Sequence, residues 1–94
     1  MEDVVYYNEL YYYYGSLLTD VQRKYFEDYY CNNLSFGEMS EIYEVSRNAI
    51  FRQIKIVLRK LDYYENKLGL YKKMNKIEEI VKDEDLKKQI LDIF

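Results

Sequence analysis

Three helix-start signals divide the segment 18–61 into short helices, and their spacing limits the fold more than any other feature of the chain. Thr19 and Ser35 are each followed three residues later by a Gln or a Glu, which is the capping-box pattern. Ser46 is a third cap, and it lies a turn's length beyond the short helix that Ser35 begins. The segment therefore predicts a helix, a short helix, a tight turn and a further helix, which is a helix-turn-helix.

The helix after Ser46 is expected to be long, because apolar side chains recur along it at alternating spacings of four and three residues. This spacing gives one continuous apolar stripe, which is typical of a helix that packs along its whole length. Its first half would pack on the two preceding helices, and its second half extends beyond them. The stripe consists of Ile50, Ile54, Val57, Leu61, Tyr64 and Leu68.

Apolar periodicity predicts helices on both sides of this segment as well, so the fold class is all-α, without a strand or a wing. We expect one domain over residues 1–94, with a helix-turn-helix core at 18–61 and a C-terminal helical extension at 62–94. The expected helices run from about 2 to 14, 20 to 31, 36 to 43, 47 to 68, 70 to 82 and from about 86 to the C-terminus.

The three shorter N-terminal helices each have an apolar face that predicts core residues. Gly15 is expected to end the first of them in the left-handed conformation, as Gly often does after a helix. Ser40 is expected to allow close helix contact, and Val45 to fill the turn. The predicted faces are Val4, Tyr7, Leu10, Tyr11 and Tyr14, then Val21, Tyr25, Phe26 and Tyr29, then Phe36, Met39, Ile42 and Tyr43.

Composition excludes several classes of site. The chain has no His and one Cys, which excludes a zinc finger, a disulfide within the chain and a His-based acid–base site. It has no Gly-rich phosphate loop, no apolar run long enough to span a membrane and no signal segment at its start. We therefore expect a cytoplasmic protein that is not an enzyme and that uses no cofactor or metal. The six Tyr between residues 6 and 14 reflect either genome composition or a platform for stacked bases.

The helix after Ser46 carries five cations and no carboxylate as far as Lys60, although the net charge of the chain is −3. Such a concentration of positive charge is typical of contact with a nucleic-acid backbone. Arg side chains can read guanine and Asn side chains can read adenine in a major groove, whereas cations further along the helix would contact phosphates. The predicted nucleic-acid-binding residues are Ser46, Arg47, Asn48, Phe51, Arg52, Lys55 and Arg59.

Two features of the same segment are unusual for a DNA-binding unit. Glu38, Glu41 and Glu44 lie on the helix that would cross the DNA backbone, and they reduce the balance of segment 35–60 to +2. Phe51 is bulky and apolar where a reading residue is expected. It would contact a thymine methyl group or be buried in a protein partner.

The segments LTDVQRKYFEDYY, LSFGEMSEIYEVSR and AIFRQIK resemble the YlxM family of small bacterial proteins and region 4 of primary-type sigma factors. The YlxM resemblance continues through LDYYENKLGLYKK and so covers most of the chain. It implies a helix-turn-helix with a helical C-terminal part, encoded beside genes of the signal recognition particle pathway and suspected of regulating or joining that pathway. It also implies that the recognition helix starts at Ser46 and Arg47, with Arg52 and Lys55 as exposed cations.

DNA is the partner that the cationic helix favours. The alternative is a module that binds the RNA or the proteins of the signal recognition particle and uses the helix-turn-helix only as a scaffold. The C-terminal helices are expected to form a homodimer, which would hold two recognition helices at a fixed separation. The alternative for these helices is that they fold back onto the first helix.

Overall fold

The computed structural model describes residues 3–93 and contains six α-helices, with no strand among these residues. A 3₁₀ turn over Gly15–Leu17 follows the first helix, and a π-helical segment over Glu27–Cys31 prolongs the second. The all-α prediction is confirmed, and the expected helix ends at Glu2 and Phe94 lie outside the described residues. The helices are α1 (Val4–Tyr14), α2 (Asp20–Phe26), α3 (Phe36–Tyr43), α4 (Arg47–Leu68), α5 (Leu70–Ile80) and α6 (Glu84–Ile93).

Side-chain caps determine where α2, α3 and α4 begin. The Thr19 hydroxyl accepts a hydrogen bond from the Gln22 N–H at 3.2 Å, and Gln22 Oε1 accepts one from the Thr19 N–H at 3.0 Å. Ser35 and Glu38 form the same reciprocal pair at 3.0 and 3.1 Å. The Ser46 hydroxyl accepts from the N–H three residues later at 3.1 Å. All three predicted caps are confirmed, and α3 and α4 have the predicted bounds.

The turn between α3 and α4 is closed by two hydrogen bonds between Ser40 and Val45. The Val45 N–H donates to the Ser40 carbonyl at 3.2 Å, and the Ser40 hydroxyl donates to the Val45 carbonyl. Glu44 adopts a left-handed conformation with φ of 54°, which reverses the chain after α3. Ser40 was predicted only to allow close contact between helices, but its hydroxyl also stabilises the turn through a hydrogen bond. Val45 remains 38% exposed and fills the turn only in part.

The core forms around α4, on which α1, α2 and α3 all pack. The first four residues of the predicted stripe are fully buried, while Tyr64 is half-buried and Leu68, the last residue of α4, is 47% exposed. The core consists of Leu10, Tyr14, Leu18, Tyr25, Phe26, Tyr30, Met39, Ile50, Ile54, Val57, Leu58 and Leu61.

The predicted faces of α2 and α3 are wider than their contacts with α4. Val21 is 61% exposed and Ile42 is 58% exposed, so the expectation that both are buried was wrong. Both helices pack on α4, and an apolar residue at the edge of each stripe stays in solvent.

Gly15 does not adopt the predicted left-handed conformation, since its φ is −56°. Glycine is required there for space: a Cβ atom at residue 15 would lie 2.9 Å from Cε1 of the Tyr11 ring. The left-handed positions are instead Asn33, Glu44 and Gly69, with φ of 56°, 54° and 63°.

A cluster of hydrogen bonds around Glu65 joins α1, α4 and α5. The Tyr14 hydroxyl donates to Glu65 Oε1 at 2.6 Å and accepts from the Leu70 N–H at 3.0 Å. The carboxylate also accepts from the Tyr71 and Lys72 N–H groups, at 3.1 and 3.2 Å. Burial disfavours the phenolate, and with the hydrogen bond to Glu65 it raises the pKa of Tyr14 to about 12. These bonds satisfy the first N–H groups of α5 and fix its direction relative to α4.

The Tyr-rich helix α1 thus has a structural role. Seven residues before Tyr14, on the same side of α1, the Tyr7 hydroxyl donates to Asp62 of α4 at 2.8 Å. Tyr12 points away from the core and is 73% exposed. Tyr7 and Tyr14 therefore join α1 to α4 and to the start of α5, and Tyr11 stacks on Phe26 of α2.

The two C-terminal helices differ in how firmly they are attached to the core. Helix α5 packs against α1 and buries Met74, whereas α6 contributes no buried residue. The molecule measures 49 × 24 × 21 Å and is elongated for its size. No helix within residues 3–93 combines the length and the apolar character needed to cross a membrane.

Removing the Tyr14 hydroxyl by Tyr14→Phe should lower the free energy of unfolding by about 1–3 kcal/mol, because the Leu70 N–H loses its acceptor and Glu65 loses one of the three donors named above. Urea denaturation followed by circular dichroism measures this change. Tyr12→Phe is the matched control, and we expect an effect below about 0.5 kcal/mol for this exposed residue. Equal effects of the two substitutions would show that the cluster does not stabilise the fold.

Candidate nucleic-acid interface

One exposed face of α4 carries Asn48, Arg52 and Arg59. Their spacings of four and seven residues place them on the same side of the helix, directly opposite the buried stripe. All three are exposed, and their side chains form no hydrogen bond or ion pair with the rest of the described chain. An amide and two guanidinium groups are therefore available to a ligand on one surface.

The N-terminal end of α4 adds hydrogen-bond donors and partial positive charge next to this surface. Ser46 is exposed, but its hydroxyl is engaged in the cap, so it positions the helix. The N–H groups of the first turn have no partner within the helix and lie at the positive end of the helix dipole. This end of a 22-residue helix is suited to an anionic group such as a phosphate.

Arg47 lies across the first turn of α3. A Cβ atom at Gly37 would lie 2.9 Å from Nη2 of Arg47 and 3.1 Å from its Cζ, so the guanidinium rests against the glycine. Gly37 was not among the predicted site residues. Its signal in the sequence is a Gly in the first turn of a capped helix, where Ala would be more stable by roughly 0.5–1 kcal/mol.

Phe51 packs against a row of other aromatic rings. It meets Phe36 edge to face, with ring centroids 6.0 Å apart, and Phe36 stacks on Tyr29 at 4.7 Å. The ring of Phe51 is still 40% exposed. It therefore presents a rigid apolar surface beside the polar face of α4.

Lys55 and Lys60 are more engaged than their sequence positions indicate. The Lys55 ammonium lies 5.7 Å from the centroid of the Phe51 ring, and the residue is half-buried in a cleft that Tyr7 also lines. Lys60 Nζ donates to Gln22 Oε1 at 3.1 Å and ties α4 to the cap of α2. The structure thus corrects the expectation of a Lys60 available to phosphates, because its ammonium is bonded to α2, and it shows Lys55 half-buried beside Phe51 of the same helix and not fully outward.

The acidic residues of α3 are solvated. Glu38, Glu41 and Glu44 are all exposed, and Glu38 is engaged in the cap of α3. Across residues 3–93 no three carboxylate or thiol groups come close enough to hold a metal ion. The positive charge of the interface therefore comes from α4 alone.

Similarity to known protein families and to known bacterial proteins agrees with the resemblance predicted from the sequence. A family model named UPF0122, with the description "Putative helix-turn-helix protein, YlxM / p13 like", matches residues 1–92. A UPF0122 protein of Caldanaerobacter subterraneus subsp. tengcongensis is 47% identical over 83 residues, covering 84% of this chain and 71% of the relative. A UPF0122 protein of Halalkalibacterium halodurans is 45% identical over 74 residues, covering 79% and 68%. The chain therefore belongs to the UPF0122 family, the YlxM / p13-like proteins.

Proposed function

We propose that this protein is a DNA-binding regulator that reads the major groove with the N-terminal half of α4. The observation that carries the proposal is the exposed face of Asn48, Arg52 and Arg59, opposite the buried stripe. A major groove about 12 Å wide admits one α-helix, and only the outer face of that helix reaches base edges. A regulator of this kind acts in the cytoplasm, where bacterial DNA lies.

The roles of the three residues follow from their chemistry and position. Asn48 and Arg52 lie one turn apart near the start of α4 and would pair with adenine and guanine. Arg59 lies about 10 Å further along the helix, beyond the groove, and would contact a phosphate. Phe51 beside them would contact a thymine methyl group.

Asn48→Ala combined with Arg52→Ala should weaken binding to a selected DNA site by about 30-fold or more, since each of the two pairs contributes about 1–3 kcal/mol of discrimination. The site is first selected from a random duplex pool with the native protein, and affinity is then measured by fluorescence anisotropy. Gln53→Ala is the control, because Gln53 is exposed on the same half of α4 but off this face. Unchanged affinity in the double variant would refute the proposed reading role.

Gly37→Ala should displace the Arg47 guanidinium without unfolding the protein, because the new Cβ meets the end of a flexible side chain. If Arg47 contacts DNA from this position, Gly37→Ala and Arg47→Ala should lower duplex affinity by similar factors. The variant with both changes should then be no weaker than Arg47→Ala alone. Additive losses would show that Gly37 and Arg47 act separately.

The second candidate function is a module that binds the RNA or proteins of the signal recognition particle. Its support is the exposed ring of Phe51, a surface on which an unstacked RNA base can lie. The exposed carboxylates of α3 favour the proteins of the particle over its RNA. Titrating that RNA beside the selected duplex separates the two functions. A preference for the RNA that survives Asn48→Ala and Arg52→Ala would favour the second.

We also propose a homodimer through α6, whose apolar residues Leu86 and Ile93 are 47% and 83% exposed. Such a dimer would suit a palindromic site with two half-sites. Light scattering at tens of micromolar should give twice the chain mass of 11.6 kDa. Leu86→Glu with Ile93→Glu should halve that mass, whereas Val21→Glu, on the exposed side of α2, should not. A single-chain mass for the native protein would refute the dimer.

A further inference from the structure

Two segments, 45–61 and 66–77, hold nine of the fourteen cations of the chain and none of its seventeen carboxylates. The rest of the chain has five cations against all seventeen carboxylates. The first segment contains the N-terminal two-thirds of α4. The second segment contains the end of α4 and most of α5. Base reading by the start of α4 does not explain the positive charge of this second segment.

The lysine surface consists of Lys67, Lys72, Lys73 and Lys76. All four are exposed, and none forms an ion pair with the described residues. The nearby carboxylate of Glu65 is engaged by the first N–H groups of α5 and by a tyrosine hydroxyl. By contrast, Lys87 on α6 pairs with Glu84 at 3.6 Å. The lysine surface is thus a local excess of positive charge within an acidic protein.

Lys67 continues the exposed face of α4, and the three α5 lysines follow it within nine residues. From Arg52 the face runs through Arg59 and Tyr63 to Lys67, a length of about 22 Å at 1.5 Å per residue. Tyr63 is 58% exposed, and the Lys67 ammonium lies 5.7 Å from the centroid of its ring. Because hydrogen bonds to Glu65 fix the first turn of α5, the α5 lysines are held at a constant position relative to Arg52.

We propose that the lysine surface is a second phosphate-contact surface, which binds the DNA flank outside the groove that α4 reads. The proposal rests on the DNA-binding function given above. Duplex DNA carries one charge per roughly 1.7 Å of its axis, so phosphates are present wherever this extended face passes. A second copy of the chain is a poor occupant, because like charges would meet. These contacts supply affinity and salt dependence without sequence preference.

The test compares two variants with the same net charge. Lys72→Gln, Lys73→Gln and Lys76→Gln together remove three charges from the lysine surface. Lys82→Gln, Lys87→Gln and Lys88→Gln remove three from the segment around α6, where carboxylates alternate with lysines. Gln and Lys have similar helix propensities, so both variants should fold, and circular dichroism checks this. Light scattering checks that the α6 variant, which lies beside the proposed dimer surface, keeps the mass of the native protein.

Affinity for the selected duplex is measured over a salt series, with one duplex of about 10 bp and one about twice as long. On the longer duplex the α5 variant should lower the slope of log K against log salt by about 2–3, since each phosphate contact contributes about 0.9. The α6 variant should change it by less than about 0.5. On the short duplex, which ends before the lysine surface, the two variants should behave alike.

The outcomes separate this inference from the proposed function. Equal slopes for the two variants on the longer duplex would overturn the lysine surface and leave the reading role of Asn48 and Arg52 intact. A lower slope for the α5 variant, with no effect of Asn48→Ala and Arg52→Ala, would support the lysine surface and refute sequence reading. Absence of any duplex binding by the native protein would overturn both.

Discussion

Burial of one face of α4 organises the molecule, because α1, α2 and α3 all pack on that face. Ile50, Ile54, Val57 and Leu61 are fully buried, and these four positions orient the helix about its axis. A rotation of α4 would expose them, at a cost of about 1.5–3 kcal/mol for each side chain. The opposite face, with Asn48, Arg52 and Arg59, is therefore held outward by the hydrophobic effect.

The cluster around Glu65 extends this geometry into the C-terminal half. The N–H groups at the start of α5 would otherwise have no partner, and Glu65 with Tyr14 satisfies them. Because Tyr14 belongs to the core and Glu65 to α4, the direction of α5 depends on the same packing. The link is specific to α5, since α6 contributes no buried residue.

In the proposed function, base reading and phosphate contact belong to successive parts of α4 and α5. The first turns of α4 carry the groups that can distinguish bases, and later positions carry cations that suit phosphates. The exposed carboxylates of α3 oppose binding of a polyanion, so specific contacts would contribute more than bulk charge. This balance fits a protein whose net charge is −3.

The sequence by itself determined the all-α class, the caps at Thr19, Ser35 and Ser46, the bounds of α3 and α4, and the outward face of α4. These features depend on residues three or four positions apart, whose geometry every helix shares. Only the tertiary structure decided that Arg47 rests on Gly37, that Lys60 binds Gln22, and that Tyr14 meets Glu65. Those contacts join residues from 10 to 51 positions apart in the chain, and they form only once the helices have packed. For the same reason the width of the buried face on α2 and α3 could not be read from periodicity, because it depends on how much of each helix its neighbour covers.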